Sequence, residues 1–596
     1  MRSMLAFTVL AFVAILAFQY FKPATPAPQP QSQAAQQAAQ QTGQQSAPAV
    51  PASNPAAAPM QNATAGAVPA ASSAPSIVAA TESQTIVENE LYRITFSNRG
   101  ALVKSWILKR YKDSKGHPLD LVNPRAVAAV QNSAGIGYPL SVFTYEPALT
   151  TELNQALYQS SATGIVTAPA GIVFKYSKGP LTVTKTFAFN ESYVVDTSLS
   201  VMRSGSPVRA LVAWPGGLGD QEEASQFAAS KLGWSVDGKR DSTGGGHSWF
   251  SAGVTNDATL EQTYDYAAAI DLYFAAAFLP AVPSRATIVT LYNTVDAPKD
   301  STNPGAGTVK SPVLGLAVGD TSGTTRTRLF AGPLQFDVLA SVHATSPDGL
   351  TTGEDLKPLI QFGSFKIIAE PLFLLLRLVH KYVGNWGWAI VIVTIVFNLL
   401  MMPTRLLMMK SSVKMQRIQP KMDAIKKRYA HLKPTDPKRA EMNAETMKLY
   451  KDEGINMYGS CLPLLVQMPL FLAYYRVLAN VIELRQASWG WLPNLAISDP
   501  LHVLPVIIII SMFLVQYITP SPGMDPAQRR MMAFMMPAVM GFTMWNFSSG
   551  LALYWTTGNL LNLGLQVAIN QSPIGRELHA LAAKRAGKKP PPGGKR

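Results

Sequence analysis

Cysteine and histidine are scarce in this 596-residue chain, which contains one cysteine, Cys461, and seven histidines. A single cysteine cannot form a disulfide framework, and no Cys/His cluster with the spacing of a metal site can be built around it. Within residues 81–345 the histidines are isolated and no paired carboxylates stand out. The sequence therefore favours neither a disulfide-stabilised scaffold nor a metalloenzyme, and Cys461 is expected to be a small buried side chain.

Charge and bulky apolar residues are nearly missing from residues 23–80, which consist mainly of Ala, Gln, Pro and Ser. Such a segment cannot bury enough apolar surface to fold, so we expect a disordered tether, semi-extended by its prolines. An 18-residue apolar run, Met4–Phe21, precedes it and is flanked by Arg2 and Lys22. Because this run is longer than a usual signal-peptide core, residues 1–22 are predicted to be an uncleaved transmembrane anchor, with a cleaved signal peptide as the alternative.

Short strand-like segments dominate residues 81–345. LYRITFSN, GIVFKYSKG, LTVTKTFAF, YVVDTSLSV and ATIVTLYNT alternate along their length and are rich in β-branched and aromatic residues. Gly, Pro, Asn and Asp separate them, and no helical pattern of comparable strength intervenes. The pattern predicts a large β-sandwich domain.

An amphipathic segment follows at residues 363–384. Leu372 and Phe373 contribute to its apolar side, Arg377 lies on its polar side, and Gly384 can end it. Such a helix is expected to lie along a membrane surface rather than to cross the membrane.

Long apolar segments are concentrated in residues 386–570. Each is close to the ~20 residues that a helix needs to cross a hydrocarbon core. The segments are 386–403, 461–482, 501–518, 531–547 and 550–569. They predict a polytopic α-helical membrane protein with a five-helix core, an N-terminal anchor helix and a large periplasmic β-sandwich domain.

The formal net charge of +15 is carried largely by two segments beside the predicted spans. Residues 410–451 contain 12 Lys and Arg against 4 Asp and Glu, and residues 576–596 contain seven against one. Positive-inside bias explains both segments. It predicts cytoplasmic N- and C-termini, a cytoplasmic helical hairpin at 411–453, a basic cytoplasmic tail at 571–596, and residues 23–362 in the periplasm. The hairpin and the tail are candidates for a ribosome contact through rRNA, and nothing indicates DNA binding.

Polar side chains interrupt the predicted spans at spaced positions. In the first core span Thr394, Asn398 and Arg405, at offsets 0, 4 and 11, fall within about 40° of one another on a helix. Unsatisfied polar groups are costly in lipid, so such residues are expected to face other helices or a water-filled cavity. The structural alternative is that Thr394 bonds to its own backbone and Arg405 reaches the interface.

Several stretches, taken in order, resemble a known family. VGNWGWAIVIVT, GSCLPLLVQMPLFLAYY, ELRQA and SGLALYW are similar to runs in the YidC-type membrane protein insertases of Gram-negative bacteria, and the order of parts matches over nearly the whole chain. The resemblance implies insertion and folding of inner-membrane proteins, alone or with the Sec translocon, through a hydrophilic groove open to the cytoplasm and lipid. It also implies a periplasmic β-supersandwich, nascent membrane proteins and the lipid bilayer as partners, and no enzymatic activity, nucleotide, metal or other cofactor.

The resemblance assigns groove positions on three of the predicted spans. These positions are Thr394, Asn398, Gln467, Phe471, Tyr554 and Trp555. Family members usually carry Arg or Lys five positions before the proline of the first core span, whereas counting back from Pro403 gives the neutral Asn398. Arg476, also assigned to the groove, and Arg405 are the candidates for the missing cation. If neither supplies it, the groove works by hydration alone, which weakens any mechanism based on attraction to an acidic client.

Two other functions fit parts of the sequence. A secondary transporter could use Asn398, Gln467 and Arg476 around a solute site, although no repeat is visible among the five spans. A sugar-binding or carbohydrate-active protein could use the β domain with the membrane part as an anchor, although five polar-striped spans exceed what an anchor needs. Solute uptake in vesicles would identify the first, and glycan binding by residues 81–345 would identify the second.

Overall fold

The structure of the chain, a computed structural model, describes residues 76–580 apart from several gaps. The gaps are residues 135–136, 245–253, 302, 347–351, 430, 432–435, 437, 455–461, 520–525, 574 and 578–579. The predicted anchor at 1–22, the predicted tether as far as residue 75, Cys461 and the tail beyond residue 580 lie outside the described residues.

Strands occupy the N-terminal half of the described chain. They are β1 (Gln84–Glu88), β2 (Tyr92–Ser97), β3 (Leu102–Lys112), β4 (Pro118–Asp120), β5 (Ser141–Thr144), β6 (Gln159–Ser160), β7 (Gly164–Thr167), β8 (Ala170–Lys178), β9 (Leu181–Phe189), β10 (Val194–Arg203), β11 (Ser206–Pro207), β12 (Ala210–Trp214), β13 (Lys231–Val236), β14 (Lys239–Gly244), β15 (Thr259–Glu261), β16 (Tyr264–Ile270), β17 (Phe274–Pro280), β18 (Ala286–Pro298), β19 (Thr308–Asp320), β20 (Thr324–Pro333), β21 (His343–Thr345) and β22 (Thr352–Asp355). The segments predicted as strands lie in β2, β8, β9, β10 and β18, so these predictions are confirmed.

The described strands form three large sheets and a two-stranded ribbon. The first sheet has the order β4-β3-β2-β1-β7, in which β1 and β7 are parallel neighbours. The second has the order β14-β13-β16-β17-β20-β10-β9-β8-β6, with β11 paired to β10. The third has the order β15-β18-β19-β12-β5, and β21 pairs with β22 in the ribbon.

Alternating side chains turn one face of several strands toward a shared core, whereas β16 and β17 are buried on both faces. In β9 buried and more exposed residues alternate along the strand, which is typical of a strand with one buried face. Trp106 of β3 and Trp214 of β12 are buried with ring centroids 5.9 Å apart, so the first and third sheets share a core. Lys185 of β9 is also buried, and its ammonium donates to the carbonyls of Gly100 at 2.7 Å and Leu140 at 2.8 Å. These carbonyls take the place of the water molecules that would hydrate the ammonium group at the surface.

Helices lie between the strands and fill most of the C-terminal half of the described chain. They are α1 (Pro124–Ala134), α2 (Pro147–Gln155), α3 (Ala224–Ala229), α4 (Phe336–Ser341), α5 (Lys366–Val383), α6 (Trp386–Leu400), α7 (Met402–Arg428), α8 (Arg439–Asp452), α9 (Leu462–Asn480), α10 (Val503–Ile518), α11 (Pro526–Met544) and α12 (Ser549–Gln571). The first four belong to the β domain, where the sequence shows no strong helical pattern. Helix α3 has six residues, fixed by a capping box between Glu223 and Gln226, which is too short for an apolar period to be visible. Helix α1, with 11 residues, is long enough to show such a period and was not expected from the sequence.

Helix α5 packs its predicted membrane side against the protein. Leu372 and Phe373 are buried, and the Phe373 ring meets Phe336 of α4 with centroids 5.8 Å apart. Arg377, expected on the polar side, lies with its guanidinium 4.5 Å from the centre of the Phe336 ring. The helix ends at Gly384, whose φ of 70° is left-handed. The apolar side expected to face a membrane is therefore covered by core residues of the same chain.

Helices α7 and α8 form the hairpin expected at 411–453. Ile418 and Met422 of α7 are buried and pack against α8, and their spacing of four residues puts them on one side of the helix. The hairpin begins earlier than expected, because α7 starts at Met402 with a proline in its first turn. Most of residues 433–437, between the two helices, lie outside the described residues.

Each predicted core span is helical over most of its length, in α6 and in α9 to α12. In the part of the chain that the structure describes, no helix combines the length and the apolar character required to cross a membrane. Helix α12 packs against α6 and α10, and α10 packs against α11. The last contact is close, because a Cβ on Gly541 of α11 would lie 2.1 Å from Cγ1 of Ile509.

The loop after α9 joins the helices to the β domain. Arg485 in this loop pairs with Asp220 at 2.9 Å, and only 12% and 8% of these side chains are exposed. The guanidinium lies 5.1 Å from the centre of the Tyr273 ring. Beside them, Oδ1 of buried Asp271 accepts the backbone N–H groups of Tyr273 and Phe274. Burial, together with the nearby charge of Asp220, raises the pKa of the Asp271 carboxyl well above its ordinary value.

Candidate functional site

Helices α9 and α12 bring most of the predicted site residues together. Nε2 of Gln467 donates to the hydroxyl of Tyr554 at 3.1 Å. The rings of Phe471 and Trp555 meet edge to face with centroids 4.9 Å apart, and the Tyr554 ring stacks on Tyr474 at 4.1 Å. Offsets of 0, 4 and 7 put Gln467, Phe471 and Tyr474 on one side of α9. Gln467, Phe471, Tyr554 and Trp555 thus form one group, called here the amide–aromatic cluster.

Helix α6 supplies Thr394 and Asn398. Thr394 is fully buried, and its Oγ1 donates to the carbonyl of Ile390 at 2.6 Å, which is the structural alternative considered for it. The Asn398 amide donates to the carbonyl of Thr394 at 2.8 Å. Asn398 faces α12, since a Cβ on Gly558 would lie 3.8 Å from its Nδ2. Thr394 therefore serves helix packing, and Asn398 lies at the α6–α12 contact.

Helix α12 carries further polar groups that sequence reasoning did not assign to the site. Oγ1 of Thr556, Nδ2 of Asn559 and Oδ1 of Asn562 are buried without a hydrogen-bond partner in the described part of the chain. An unsatisfied buried polar atom costs about 1–3 kcal/mol, so these atoms favour a polar ligand or water. The signal that could have found them is spacing, because Trp555, Asn559 and Asn562 lie at offsets 0, 4 and 7 on one side of the helix.

Arg476 does not join the amide–aromatic cluster. It is exposed, and a Cβ on Gly363 would lie 3.4 Å from its Nε. Helix α9 runs from Leu462 to Asn480 with Pro469 inside it, so the proline does not turn Arg476 toward Gln467. Arg476 lies instead at the contact between α9 and the segment before α5. The side chain of Arg405, the other candidate cation, lies outside the described part.

The amide–aromatic cluster combines neutral hydrogen-bonding groups with aromatic surface. An amide offers both donors and an acceptor, a phenol offers one of each, and the rings offer large apolar contact areas. Gln467 is exposed while Tyr554 is buried, so the cluster is reached from the Gln467 side. Such a site can exchange hydrogen bonds with a polar group and hold an apolar neighbour of that group at the same time.

Comparison with known proteins identifies the two halves of the chain separately. A family model described as "YidC periplasmic domain" matches residues 84–375, and one described as "60Kd inner membrane protein" matches residues 378–576. The boundary between the two matches falls within α5. The β domain and the helical part are thus each characteristic of the same kind of protein.

Curated relatives match this chain over most of its length. A membrane protein insertase YidC from Ralstonia nicotianae is 32% identical over 514 residues, which cover 84% of this chain and 85% of the relative. Another from Cupriavidus necator is 31% identical over 540 residues, covering 88% of this chain and 90% of the relative. A solved structure, an active YidC insertase with the first transmembrane domain resolved, has a TM-score of 0.33 and 18% identity, covering 83% of this chain and 94% of that one. By its matched families and by relatives that align over most of their own length, this chain belongs to the YidC family of membrane protein insertases.

Proposed function

We propose that this insertase receives segments of nascent membrane proteins at the amide–aromatic cluster, and that α6 and α9 to α12 cross the bilayer around it. The proposal rests on the hydrogen bond from exposed Gln467 to buried Tyr554, which marks a polar entry into an otherwise apolar set of helices. The unpartnered atoms of Asn559 and Asn562 extend this polar path along α12.

The physical task of such a path is to lower the cost of moving polar groups through a hydrocarbon layer. Each unpaired backbone group costs several kcal/mol there. Amide and hydroxyl side chains supply temporary hydrogen-bond partners, and the aromatic rings of Phe471 and Trp555 contact the apolar part of the client. The client then leaves sideways into lipid, driven by transfer of its apolar surface. No covalent step is needed.

In the proposed path Asn398 presents an amide in place of a cation, and Arg476 lies outside the amide–aromatic cluster. An amide binds a polar flank through hydrogen bonds but gives no long-range attraction to an acidic one. We therefore infer that clients are taken according to hydrogen bonding and apolar length rather than according to negative charge.

Basic segments orient the protein and meet the translation machinery. With the N- and C-termini and the hairpin of α7 and α8 in the cytoplasm, every dense basic segment lies on one side of the membrane. Arg417 of α7 donates to Glu577 at 2.9 Å, which holds the start of the basic tail against the hairpin. Together these segments form a surface for rRNA on the side where nascent chains arrive, and the Sec translocon is a partner for clients with large translocated parts.

Site-specific photo-crosslinking in cells tests the path. A photoreactive residue replaces Gln467 or Trp555, with Leu560 as a control on the same helix as Trp555 and Ile510 as a control on α10. Leu560 and Ile510 are 49% and 53% exposed, so their failure to crosslink cannot come from burial. Ile509 would be a poorer control, since it packs against Gly541.

Stalled nascent membrane proteins are expected to crosslink at Gln467 and Trp555 and not at the two control positions. Equal crosslinking at all four positions would mean that clients touch the helices without a defined path. Absence of crosslinking at Gln467 and Trp555, with protection of both from labelling by small solutes, would favour a transport site instead.

A further inference from the structure

A cavity of about 440 Å³ lies at the junction between the β domain and the start of α5. Its wall is formed by Arg240 of β14, the β21–β22 ribbon, the segment 357–362 and the first residues of α5. Its volume is in the range of pockets that hold small ligands. The cavity is separate from the amide–aromatic cluster, which lies between α9 and α12.

The charges that line the cavity balance one another. Arg240 pairs with Glu354 at 2.8 Å, Lys357 pairs with Asp355 at 2.7 Å, and Lys366 lies 3.8 Å from Glu370. Three cations thus face three carboxylates. A site for a simple anion or a simple cation would carry an excess of one sign, whereas this arrangement suits a ligand that carries both charges.

One carboxylate oxygen in the wall lacks a donor. Oε2 of Glu354 accepts from Arg240, but its Oε1 is buried without a hydrogen-bond partner in the described ranges. A carboxylate accepts several hydrogen bonds, and leaving a buried oxygen unsatisfied is costly. An ammonium group can donate to this oxygen. Lys366, which is half-exposed and only loosely paired with Glu370, is free to turn toward an anionic group.

Helix α5 carries a second apolar face that starts at the cavity. Ile367 is 89% exposed and Tyr382 is 81% exposed, and Leu374 and Leu378 are also exposed. Offsets of 0, 7, 11 and 15 put these four residues on one side of the helix, opposite the buried Leu372. The face begins one residue after Lys366. A ligand in the cavity therefore borders an apolar strip about 15 residues long.

We propose that the cavity binds the headgroup of a phospholipid that carries both a phosphate and a primary ammonium, such as phosphatidylethanolamine. The ammonium donates to Oε1 of Glu354, the phosphate lies at Lys366, and the acyl chains run along the apolar face of α5. This inference rests on the proposed function: with α6 in the bilayer, α5, which ends three residues before α6 begins, lies at the membrane surface. It explains why the helix exposes large apolar side chains beside a cavity with paired charges.

A comparison of lipids that carry a primary or a quaternary ammonium group distinguishes a specific site from a general attraction to lipid. Phosphatidylcholine has the same net charge but no N–H to donate to Glu354, and phosphatidylglycerol has the phosphate without an ammonium. The full-length protein is placed in nanodiscs of phosphatidylcholine containing equal minor amounts of phosphatidylethanolamine and phosphatidylglycerol. Native mass spectrometry then counts the lipids that stay bound to the protein after it has been released from the nanodisc.

We expect phosphatidylethanolamine to be retained about tenfold over phosphatidylcholine, the factor that one charge-assisted hydrogen bond supplies. Glu354→Gln abolishes this preference, and Lys366→Gln lowers retention of both lipids severalfold. Glu191→Gln and Lys175→Gln, at exposed positions of the β domain outside the cavity, leave retention unchanged.

Equal retention of the two zwitterionic lipids by the wild type would overturn the proposal, as would full preference in Glu354→Gln or stronger retention of phosphatidylglycerol. Displacement by soluble glycerophosphoethanolamine at the same concentration would overturn the assignment to a membrane lipid. Client crosslinking at Gln467 is measured in the same variants. If clients crosslink at Gln467 but phosphatidylethanolamine is not preferred, the lipid site alone is refuted. If phosphatidylethanolamine is preferred but clients do not crosslink at Gln467, the insertion path alone is refuted.

Discussion

Replacing Arg485 by Met tests whether a buried ion pair holds the β domain to the helices. Methionine keeps an unbranched side chain next to the rings of Tyr273 and Phe274, where a thioether makes favourable contacts. The substitution therefore removes the charge and the hydrogen bond to Asp220 while retaining most of the packing. What remains is a carboxylate that is 8% exposed and lies beside Asp271.

The expected cost follows from that burial. Removing one partner of a buried ion pair costs about 3–5 kcal/mol, because the other charge stays in the interior without compensation. The contact between the β domain and the loop after α9 is called here the seam. Since about 1.4 kcal/mol is a factor of ten, opening of the seam should become roughly 100- to 4,000-fold more frequent. An exposed pair provides the matched control: Arg203 and Glu146 lie 2.9 Å apart with 41% and 56% of their side chains exposed, so Arg203→Met should cost less than about 1 kcal/mol.

Hydrogen exchange measured by mass spectrometry on the intact protein reports this opening locally. The informative peptides contain residues 481–487 and residues 271–275, whose amides lie at the seam. Both should exchange faster in Arg485→Met and at the wild-type rate in Arg203→Met. Adding Asp220→Leu to Arg485→Met should recover part of the loss, since no charge is then left unpaired. Equal protection in the two single variants would refute the reasoning that the seam depends on this pair.

Two further substitutions probe the same architecture. The raised pKa of the Asp271 carboxyl means that the folded protein binds this proton more tightly than the unfolded chain does. The proton therefore stabilises the folded state most at pH values below the unfolded pKa of about 3.9. This stabilisation is lost as the pH rises through the pKa of the folded state. The substitution Asp271→Asn should remove this pH-dependent loss of stability. Calorimetry of the intact protein should then show a smaller decline in the Tm of the β domain from acidic to neutral pH in the variant than in the wild type. Equal declines in the two proteins would contradict this. Gly541→Ala should lower Tm by forcing α10 and α11 apart, at a cost of about 1–3 kcal/mol. Gly564→Ala, where a Cβ would meet nothing within 4 Å, should be neutral or slightly stabilising, and identical Tm changes in the two would argue against a close contact.

The sequence predicts local structure well where one period dominates. LTVTKTFAF alternates except at Lys185 and Ala188 and becomes β9, and Ile418 and Met422, four residues apart, lie on the buried side of the hairpin. The end of α5 at Gly384 follows from a glycine that tolerates positive φ. The grouping of Gln467 with Tyr554 followed from family resemblance, since helical spacing alone does not say which sides of two helices meet.

Contacts between distant parts of the chain could not be predicted in this way. Two sides of α5 carry apolar residues, and contacts with Phe336, Phe362 and helices α6 and α9 decide which of them is buried. Arg476 lies within α9 and Arg485 in the loop after it, and the sequence does not show that one is exposed beside Gly363 while the other pairs with Asp220. Thr394 had two possible roles, lining a cavity or bonding to its own helix. Its hydrogen bond to the Ile390 carbonyl corresponds to the second role. A membrane path through the amide–aromatic cluster stays a prediction for crosslinking to test.

The ion pair between Arg485 and Asp220 also sets an order of events during biosynthesis. The two residues are 265 positions apart in the sequence. At about 5–20 residues per second, the arginine is made roughly 13–50 s after the aspartate. From the synthesis of Asp271 until that of Arg485, the β domain carries two neighbouring carboxyl groups and no arginine to face them. A nascent chain that stops before residue 485 therefore has an unfinished seam, and closure of the seam reports that synthesis has passed α9.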